Sequence, residues 1–158
     1  MILSIILIVV TIALDQLTKY FTTSSLALGE TFPIIKEVFH FTYVENRGAA
    51  FGMLAEHRWV FMIISIVGIA ALFVWLVISK PQNKWMYIGI SIVIGGGIGN
   101  MIDRFARGYV IDMIDCRFIN FAVFNVADSF VCIGCAMVVL GLIIDIVREN
   151  KEKKAKNK

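Results

Sequence analysis

The sequence predicts an all-α membrane protein with four transmembrane helices and a small extracytoplasmic β-rich loop domain. Of its 158 residues, 59% are hydrophobic and only 17% are charged, and the mean hydropathy is +0.82. A soluble domain of this size does not have that balance. Apolar segments recur along the chain with roughly the 20 residues that cross a bilayer core of about 30 Å.

The first apolar segment covers residues 1–21 and is interrupted by Asp15 and Lys19. It also resembles a signal peptide, because Ser25 and Ala27 fit a small-x-small cleavage site. However, no Lys or Arg precedes the apolar run, and both charged residues lie too close to that site. We therefore expect a retained span.

Three further spans follow, at about 59–78, 85–102 and 125–147. Trp59 and Trp85 stand at span ends, where aromatic side chains anchor helices at the membrane interface. In the third span, Gly95 and Gly99 form a G-x-x-x-G pattern, which permits close contact between helices. The "GGGIGN" stretch is not a dinucleotide loop, since no strand precedes it.

Four spans place both termini on one side of the membrane, in a single integral membrane domain covering 1–158. The tail, 148–158, and the short "SKPQNK" turn together hold eight Lys and Arg in few residues. Positive charge concentrates on the cytoplasmic side, so the outer loops, 22–58 and 103–124, face outward. A basic tail can also bind nucleic acid, but its position directly after a span favours a membrane-flanking role.

The first outer loop contains the only extended pattern that we interpret as a strand. "FHFTYV" is rich in aromatic and β-branched residues and predicts a strand. The following "ENRG" predicts a turn. A small sheet lying on the membrane surface fits this pattern.

Ionisable residues within a span cost about 2.5–3.5 kcal/mol each at the helix centre, so their positions need an explanation. They fall into groups at helical spacing: Asp15 with Lys19; Asn100 with Asp103 and Arg104; Asn125 with Asp128; and Asp112 with Asp115 if "VIDMID" is helical. Every group lies at the outward end of its span or in the adjoining loop. We infer a single polar site near the outer membrane boundary.

Ion pairing explains some of these acids. Lys19 can neutralise Asp15, and Arg104 can neutralise Asp103 or Asp115. This leaves Asp112 and Asp128 as the acids least clearly paired, although Arg107 and Arg117 remain open as partners.

The sequence offers few residues for a serine or cysteine nucleophile or for a metal site. The only histidines, His40 and His57, lie in the first outer loop, and Cys116 has no His base near it in sequence. Cys132 and Cys135 form a C-x-x-C inside an apolar helix, which we interpret as packing residues. No zinc spacing is present, so we expect no metal and no cofactor.

Two carboxylates that share a proton can hydrolyse an amide, because one acts as base on water while the other donates a proton. From the residues alone this remains a hypothesis, since spacing does not prove proximity. A proton- or ion-coupled transporter also uses buried acids, but the polar groups lie on one side only. A non-catalytic membrane scaffold would tolerate loss of either acid.

Five motifs in order resemble those of the bacterial lipoprotein signal peptidase (signal peptidase II) family. They are "DQLTK" (15–19), "ENRGAAFG" (45–52), "GGGIGNMIDR" (95–104), "GYVIDMID" (108–115) and "FNVADS" (124–129). The resemblance implies an aspartyl endopeptidase of the cytoplasmic (inner) membrane, with both termini in the cytoplasm. Its substrate is a diacylglyceryl-modified prolipoprotein, cut on the N-terminal side of the lipidated cysteine.

The resemblance also implies residue roles. Its catalytic pair falls on Asp112 and Asp128, and its supporting residues fall on Asp15, Asn46, Asn100, Asp103, Arg104 and Asn125. We further expect Lys19 to balance Asp15, Asn46 and Arg47 to bind the peptide or the lipid head region, and Gly48, within "RGAAFG", to let a backbone approach closely. The expected partners are the prolipoprotein and membrane lipid, with no nucleic acid, and the chain is expected to act as a monomer.

Overall fold

The computed structural model describes residues 1–48, 58–119 and 121–156, and that part of the chain contains four helices long and apolar enough to cross a membrane. The elements in order are α1 (Ile2–Ser25), β1 (Thr31–Ile35), β2 (Phe39–Asn46), α2 (Arg58–Ser79), α3 (Lys84–Ala106), β3 (Val110–Cys116) and α4 (Val126–Lys156), with a short 3₁₀ turn at Arg117–Ile119 before α4. This confirms the predicted mostly helical membrane fold with a small β part.

Helix α3 is the centre of the bundle and packs against the other three helices. Eleven of its 23 residues are buried, whereas α2 and α4 leave most of their apolar side chains exposed. The apolar core joins α1, α2 and α3 through Ile8, Leu76 and Ile94. The exposed apolar faces of α2 and α4 suit contact with lipid.

Glycines allow α3 to approach its neighbours closely. A Cβ added at Gly95 would lie 2.7 Å from the Cβ of Thr11, and one added at Gly99 would lie 2.6 Å from Oδ2 of Asp15. Both contacts are with α1, so the predicted role of the G-x-x-x-G pattern in helix packing is confirmed. At the α3–α4 crossing, a Cβ at Gly134 would lie 2.6 Å from the carbonyl oxygen of Gly89.

The three strands form one antiparallel sheet in the order β1-β2-β3. The strand predicted at "FHFTYV" is confirmed. The turn predicted at "ENRG" is wrong for its first half, because Glu45 and Asn46 still belong to β2 and pair with Ile111 and Val110. The "AAFG" part of that motif lies outside the described residues.

The "VIDMID" segment is strand β3, so the helical condition for Asp112 and Asp115 to share a face is not met. Its β-branched residues suit a pleated sheet. Because side chains alternate along a strand, two residues three apart point to opposite sides. Asp115 accordingly accepts hydrogen bonds from Thr42 at 2.7 Å and from Arg117 at 3.0 Å, away from Asp112.

Helix α4 differs from its predicted bounds at both ends. Asn125 precedes it as a cap, and the helix continues past residue 147 through Lys156. Glu and Lys are good helix formers, and Arg148 pairs with Glu152 at 3.1 Å one turn later. The basic tail therefore extends the helix instead of leaving it as a coil.

We expect Gly134→Val to destabilise the protein, because the new side chain would meet the backbone of α3. Overpacking of this kind costs about 1–3 kcal/mol. Gly68 on α2 is the matched control, since a Cβ there meets nothing within 4 Å. The thermal unfolding midpoint in detergent should fall for Gly134→Val and stay close to wild type for Gly68→Val; equal shifts would mean that this crossing is not tightly packed.

Candidate active site

The end of α3, the start of α4 and strands β2 and β3 surround a cavity of about 440 Å³. Its polar wall consists of Asn46, Asn100, Arg104, Asp112 and Asp128. Residues 121–124 form an apolar wall beside them. A larger cavity of about 600 Å³ lies between α1 and the sheet, but no ionisable side chain lines it. The smaller cavity is therefore the candidate active site.

Beneath this cavity lies a cluster of three buried charged side chains. Nζ of Lys19 lies 2.8 Å from Oδ2 of Asp15 and 2.8 Å from Oδ2 of Asp103, and all three side chains are 0% exposed. The backbone N–H of Ala127 donates to Asp15 at 3.0 Å, and that of Ile111 donates to Asp103 at 3.3 Å. The expected Lys19–Asp15 pair is confirmed, and the cluster joins α1 to α3, α4 and β3.

The carboxyl groups of Asp112 and Asp128 both open on the cavity, and both contact Asn125. Asn125 donates from Nδ2 to Oδ1 of Asp112 at 2.6 Å, and from its backbone N–H to Oδ2 of Asp128 at 3.3 Å. The remaining oxygens accept from other amides: Asp112 from Asn46 at 2.9 Å, and Asp128 from Asn100 at 2.7 Å. Folding thus brings together two acids that are distant along the chain.

Asn125 and Asp128 form a capping box at the start of α4. Oδ1 of Asn125 accepts the backbone N–H of Asp128 at 2.9 Å, while the carboxylate of Asp128 accepts the backbone N–H of Asn125. This reciprocal arrangement satisfies N–H groups that a helix start leaves without intrahelical partners. The positive end of the helix dipole also favours a carboxylate there, so Asp128 has a structural reason for its position.

Asp112 is 1% exposed on strand β3. Burial raises the pKa of its carboxyl group to about 6, the hydrogen bond from Asn46 opposes this rise, and the negative charge of Asp128 adds to it. A raised pKa beside a second acid is the condition under which two carboxyl groups hold one proton between them.

The predicted arginine partners are different in the structure. Asp103 pairs with Lys19, and Asp115 pairs with Arg117, so Arg104 neutralises neither by a direct ion pair. Although burial alone would raise it, hydrogen bonds from Thr42 and Arg117 hold the pKa of Asp115 below its usual value. Arg107 approaches Asp103 at 4.0 Å, so neither open candidate partner pairs with Asp112 or Asp128.

The remaining predicted site residues lie at the rim. Arg104 lines the cavity and makes long hydrogen bonds to the carbonyl oxygens of Asn100 at 3.4 Å and Gly48 at 3.5 Å. The N–H of Gly48 donates to Oδ1 of Asn46 at 3.0 Å, which turns the amide nitrogen of Asn46 toward Asp112. Arg47 is mostly exposed and pairs with Glu45 at 3.2 Å, outside the cavity.

Sequence reasoning missed Gln16 as a site residue. Its Nε2 donates to Oδ2 of Asp15 at 3.1 Å, to the carbonyl oxygen of Gly99 at 3.1 Å and to Oδ1 of Asp103 at 3.3 Å. A polar amide inside a span next to a buried acid was the available signal. The pairing of Phe124 with Ile114 on the free edge of β3, which places the apolar wall, had no sequence signal.

The three cysteines are free thiols. Cys132 and Cys135 lie on the exposed surface of α4, and Cys132 borders the cavity. Cys116 is half-buried at the end of β3. In the described ranges, no three His, Cys, Asp or Glu side chains are grouped as metal ligands.

Comparisons with known proteins agree on one family. The profile of the signal peptidase (SPase) II family matches residues 7–144. Two similar proteins are the lipoprotein signal peptidases of Nostoc sp., 46% identical over 80% of each chain, and of Streptococcus pyogenes serotype M5, 43% identical over 89% of this chain and 91% of the other. A bacterial membrane enzyme solved by the in meso method at 2.3 Å superposes with a TM-score of 0.84 at 34% identity, covering 90% of this chain and 88% of that chain.

The raised pKa of Asp112 predicts a pH-dependent stability. The folded state holds a proton on Asp112 up to about pH 6, whereas a free Asp loses it near 3.8. Asp112 therefore favours folding below about pH 4, and this contribution, at most about 3 kcal/mol, is lost as the pH rises through 6. We expect Asp112→Asn to remove that loss when thermal midpoints at pH 4.5 and pH 8 are compared.

Asp115→Asn is the control for this experiment. The pKa of Asp115 is lowered, so its carboxyl group stays ionised across that pH range. It should keep the wild-type decline between pH 4.5 and pH 8. If Asp112→Asn declines as steeply as wild type, the titrating group is another one.

Proposed function

The chain belongs to the signal peptidase II family, and we propose that it removes signal peptides from prolipoproteins by aspartyl hydrolysis, with Asp112 and Asp128 as the catalytic pair. One observation carries the assignment of residues: both carboxyl groups open on one cavity, and each is hydrogen-bonded by Asn125. Each of the other acids in the cluster below accepts an ion pair from Lys19 instead.

In the proposed reaction, one acid is ionised and the other holds a proton. The ionised acid takes a proton from a water molecule, whose oxygen attacks the carbonyl carbon of the scissile peptide bond. The protonated acid donates to the carbonyl oxygen, which gives a tetrahedral diol. As the C–N bond breaks, a proton passes to the leaving nitrogen, so the products are a free carboxylic acid and a free amine, without an acyl-enzyme.

The polar wall of the cavity suits this chemistry. Asn100 and Asn125 hold the acids in place, and the guanidinium of Arg104 lines the same cavity, where it can donate to a substrate carbonyl. Asn46 lies at the end of the central strand β2, and Arg47 follows it as a candidate for binding the peptide or the lipid head region.

We propose that the substrate carries a diacylglyceryl group on the cysteine that follows the cut. The cavity is polar on the side of the acids and apolar at residues 121–124 and Cys132. Cys132 lies on the exposed face of α4, which is apolar along much of its length. The acyl chains can thus remain in lipid while the peptide bond reaches the acids.

The proposed topology is a single integral membrane domain with both termini in the cytoplasm and the cavity near the outer leaflet. The cavity lies at the end of α3 and the start of α4, opposite the basic tail and the α2–α3 turn. Asn83 in that turn donates to Asp145 near the other end of α4 at 2.8 Å. We propose that the chain acts as a monomer. Family membership gives no support to the transporter alternative.

The catalytic assignment predicts that Asp112→Asn and Asp128→Asn each lower cleavage by at least about a hundredfold, because each removes one partner of the proton transfer. The assay is cleavage of a diacylglyceryl-modified prolipoprotein by the purified protein in detergent. Asp145→Asn, which alters an acid at the other end of α4, should cleave at close to the wild-type rate. Unchanged cleavage in both variants would eliminate the proposed pair.

We also expect neither a metal nor a thiol to take part. Cleavage should survive a metal chelator, and alanine at Cys116, Cys132 or Cys135 should leave turnover largely intact, since amide groups and not thiols hold the two acids. A large loss in Cys132→Ala, the thiol that borders the cavity, would instead assign it a role in binding or chemistry.

A further inference from the structure

We propose that Lys19 is a positioning residue that acts through Asn100 to fix which acid is the base: Asp128 is held ionised, and Asp112 carries the proton. This inference rests on the proposed function, because it assigns roles within the same pair. Lys19 does not contact either acid. Its ion pair with Asp15 explains how its charge is compensated, but not why it also contacts Asn100.

The ammonium of Lys19 has three donors and no acceptor, and each donor has a partner. Two are the carboxylates of Asp15 and Asp103, and the third is Oδ1 of Asn100 at 2.9 Å. Nδ2 of Asn125 donates to the same oxygen at 3.0 Å. An amide whose oxygen accepts from an ammonium and an amide cannot reverse, because its own NH₂ would then face two donors.

The fixed amide determines what Asp128 meets. Nδ2 of Asn100 must point away from Lys19, and it donates to Oδ1 of Asp128 at 2.7 Å. The other oxygen, Oδ2, accepts the backbone N–H of Asn125 at the start of α4. A proton on Oδ1 would face an N–H, and hydrogen bonds donated to a carboxylate favour the charged form. Asp128 therefore stays ionised.

Asp112 is held differently. It also accepts from two amides, but the amide of Asn46 is fixed by the N–H of Gly48 at the end of β2, not by a buried cation. Asp112 is also almost fully buried, which favours its neutral form. The proton shared by the pair resides on Asp112.

The charges near Asp128 come from three elements. Arg104 on α3 and Asp112 on β3 interact with it electrostatically, whereas Lys19 and Asp15 on α1 and Asp103 on α3 form the cluster that contacts Asn100. Since two carboxylates already surround Lys19, its own charge is largely compensated at Asp128. Its influence is exerted through the orientation of Asn100. Orientation and charge can consequently be separated by experiment.

The experiment compares kcat–pH profiles for cleavage of a diacylglyceryl-modified prolipopeptide in detergent. The double variant Lys19→Met/Asp103→Asn removes the donor to Asn100 but keeps the net charge of the cluster. We expect its acidic limb, where the base becomes protonated, to move to higher pH by about one unit, with kcat lowered about tenfold and KM little changed. Asp103→Asn alone keeps Lys19 on Asn100 but makes the cluster one charge less negative, so its acidic limb should not move to higher pH.

A second variant covers the case in which the double variant does not fold. Asn100→Asp is isosteric and still accepts from Lys19, but it presents a carboxylate oxygen to Asp128 in place of an NH₂. Its acidic limb should move to higher pH as well. Lys19→Arg, which restores a donor, should hold the limb nearer to wild type than the double variant does.

An acidic limb at the wild-type position in Asn100→Asp, or in a folded double variant, overturns the inference while leaving the proposed function intact. Failure of the proposed function has a separate signature, because Asp112→Asn and Asp128→Asn would then cleave like wild type.

Discussion

The contact between the ammonium of Lys19 and two buried carboxylates is the constraint on which the site depends. Removing three charges from water costs several kcal/mol per ion, and the cost is offset only if every donor and acceptor is satisfied. Here the carboxylates also accept backbone N–H groups from α4 and β3. The cluster can therefore form only when the helices and the sheet are correctly assembled, and the same assembly places the two acids of the cavity.

Packing and polarity cooperate at Gly99. It lies on the packing face of α3, and its missing Cβ leaves room for the carboxylate of Asp15, since a Cβ would lie 2.6 Å from Oδ2. The next residue, Asn100, donates from the same helix to Asp128. The close crossing of α1 and α3 therefore lies next to the polar site. A side chain added at Gly99 would displace the carboxylate of Asp15 directly, and it would affect Asp112 and Asp128 only indirectly.

The helices and the grouping of polar residues were predictable from sequence, because a charge inside a span is costly. The polar residues of the spans gathered at one end for that reason, and the structure brings Asp15, Lys19, Asn100 and Asp103 together. Strand β3 was not predicted, because a short "VIDMID" run fits helix or strand until pairing with β2 decides it. The three-residue spacing of Asn125 and Asp128 was visible in the sequence. That they form a capping box could be inferred only once the start of α4 was known.

The four-residue spacing of Asp15 and Lys19 also bears on how the chain is made. The two side chains can neutralise each other within α1 alone. This helix can therefore enter the membrane with no net charge before the later helices are synthesised. Asp103 emerges later and finds its cation already in place on α1. The order of synthesis therefore matches the order in which each charge acquires a counterion.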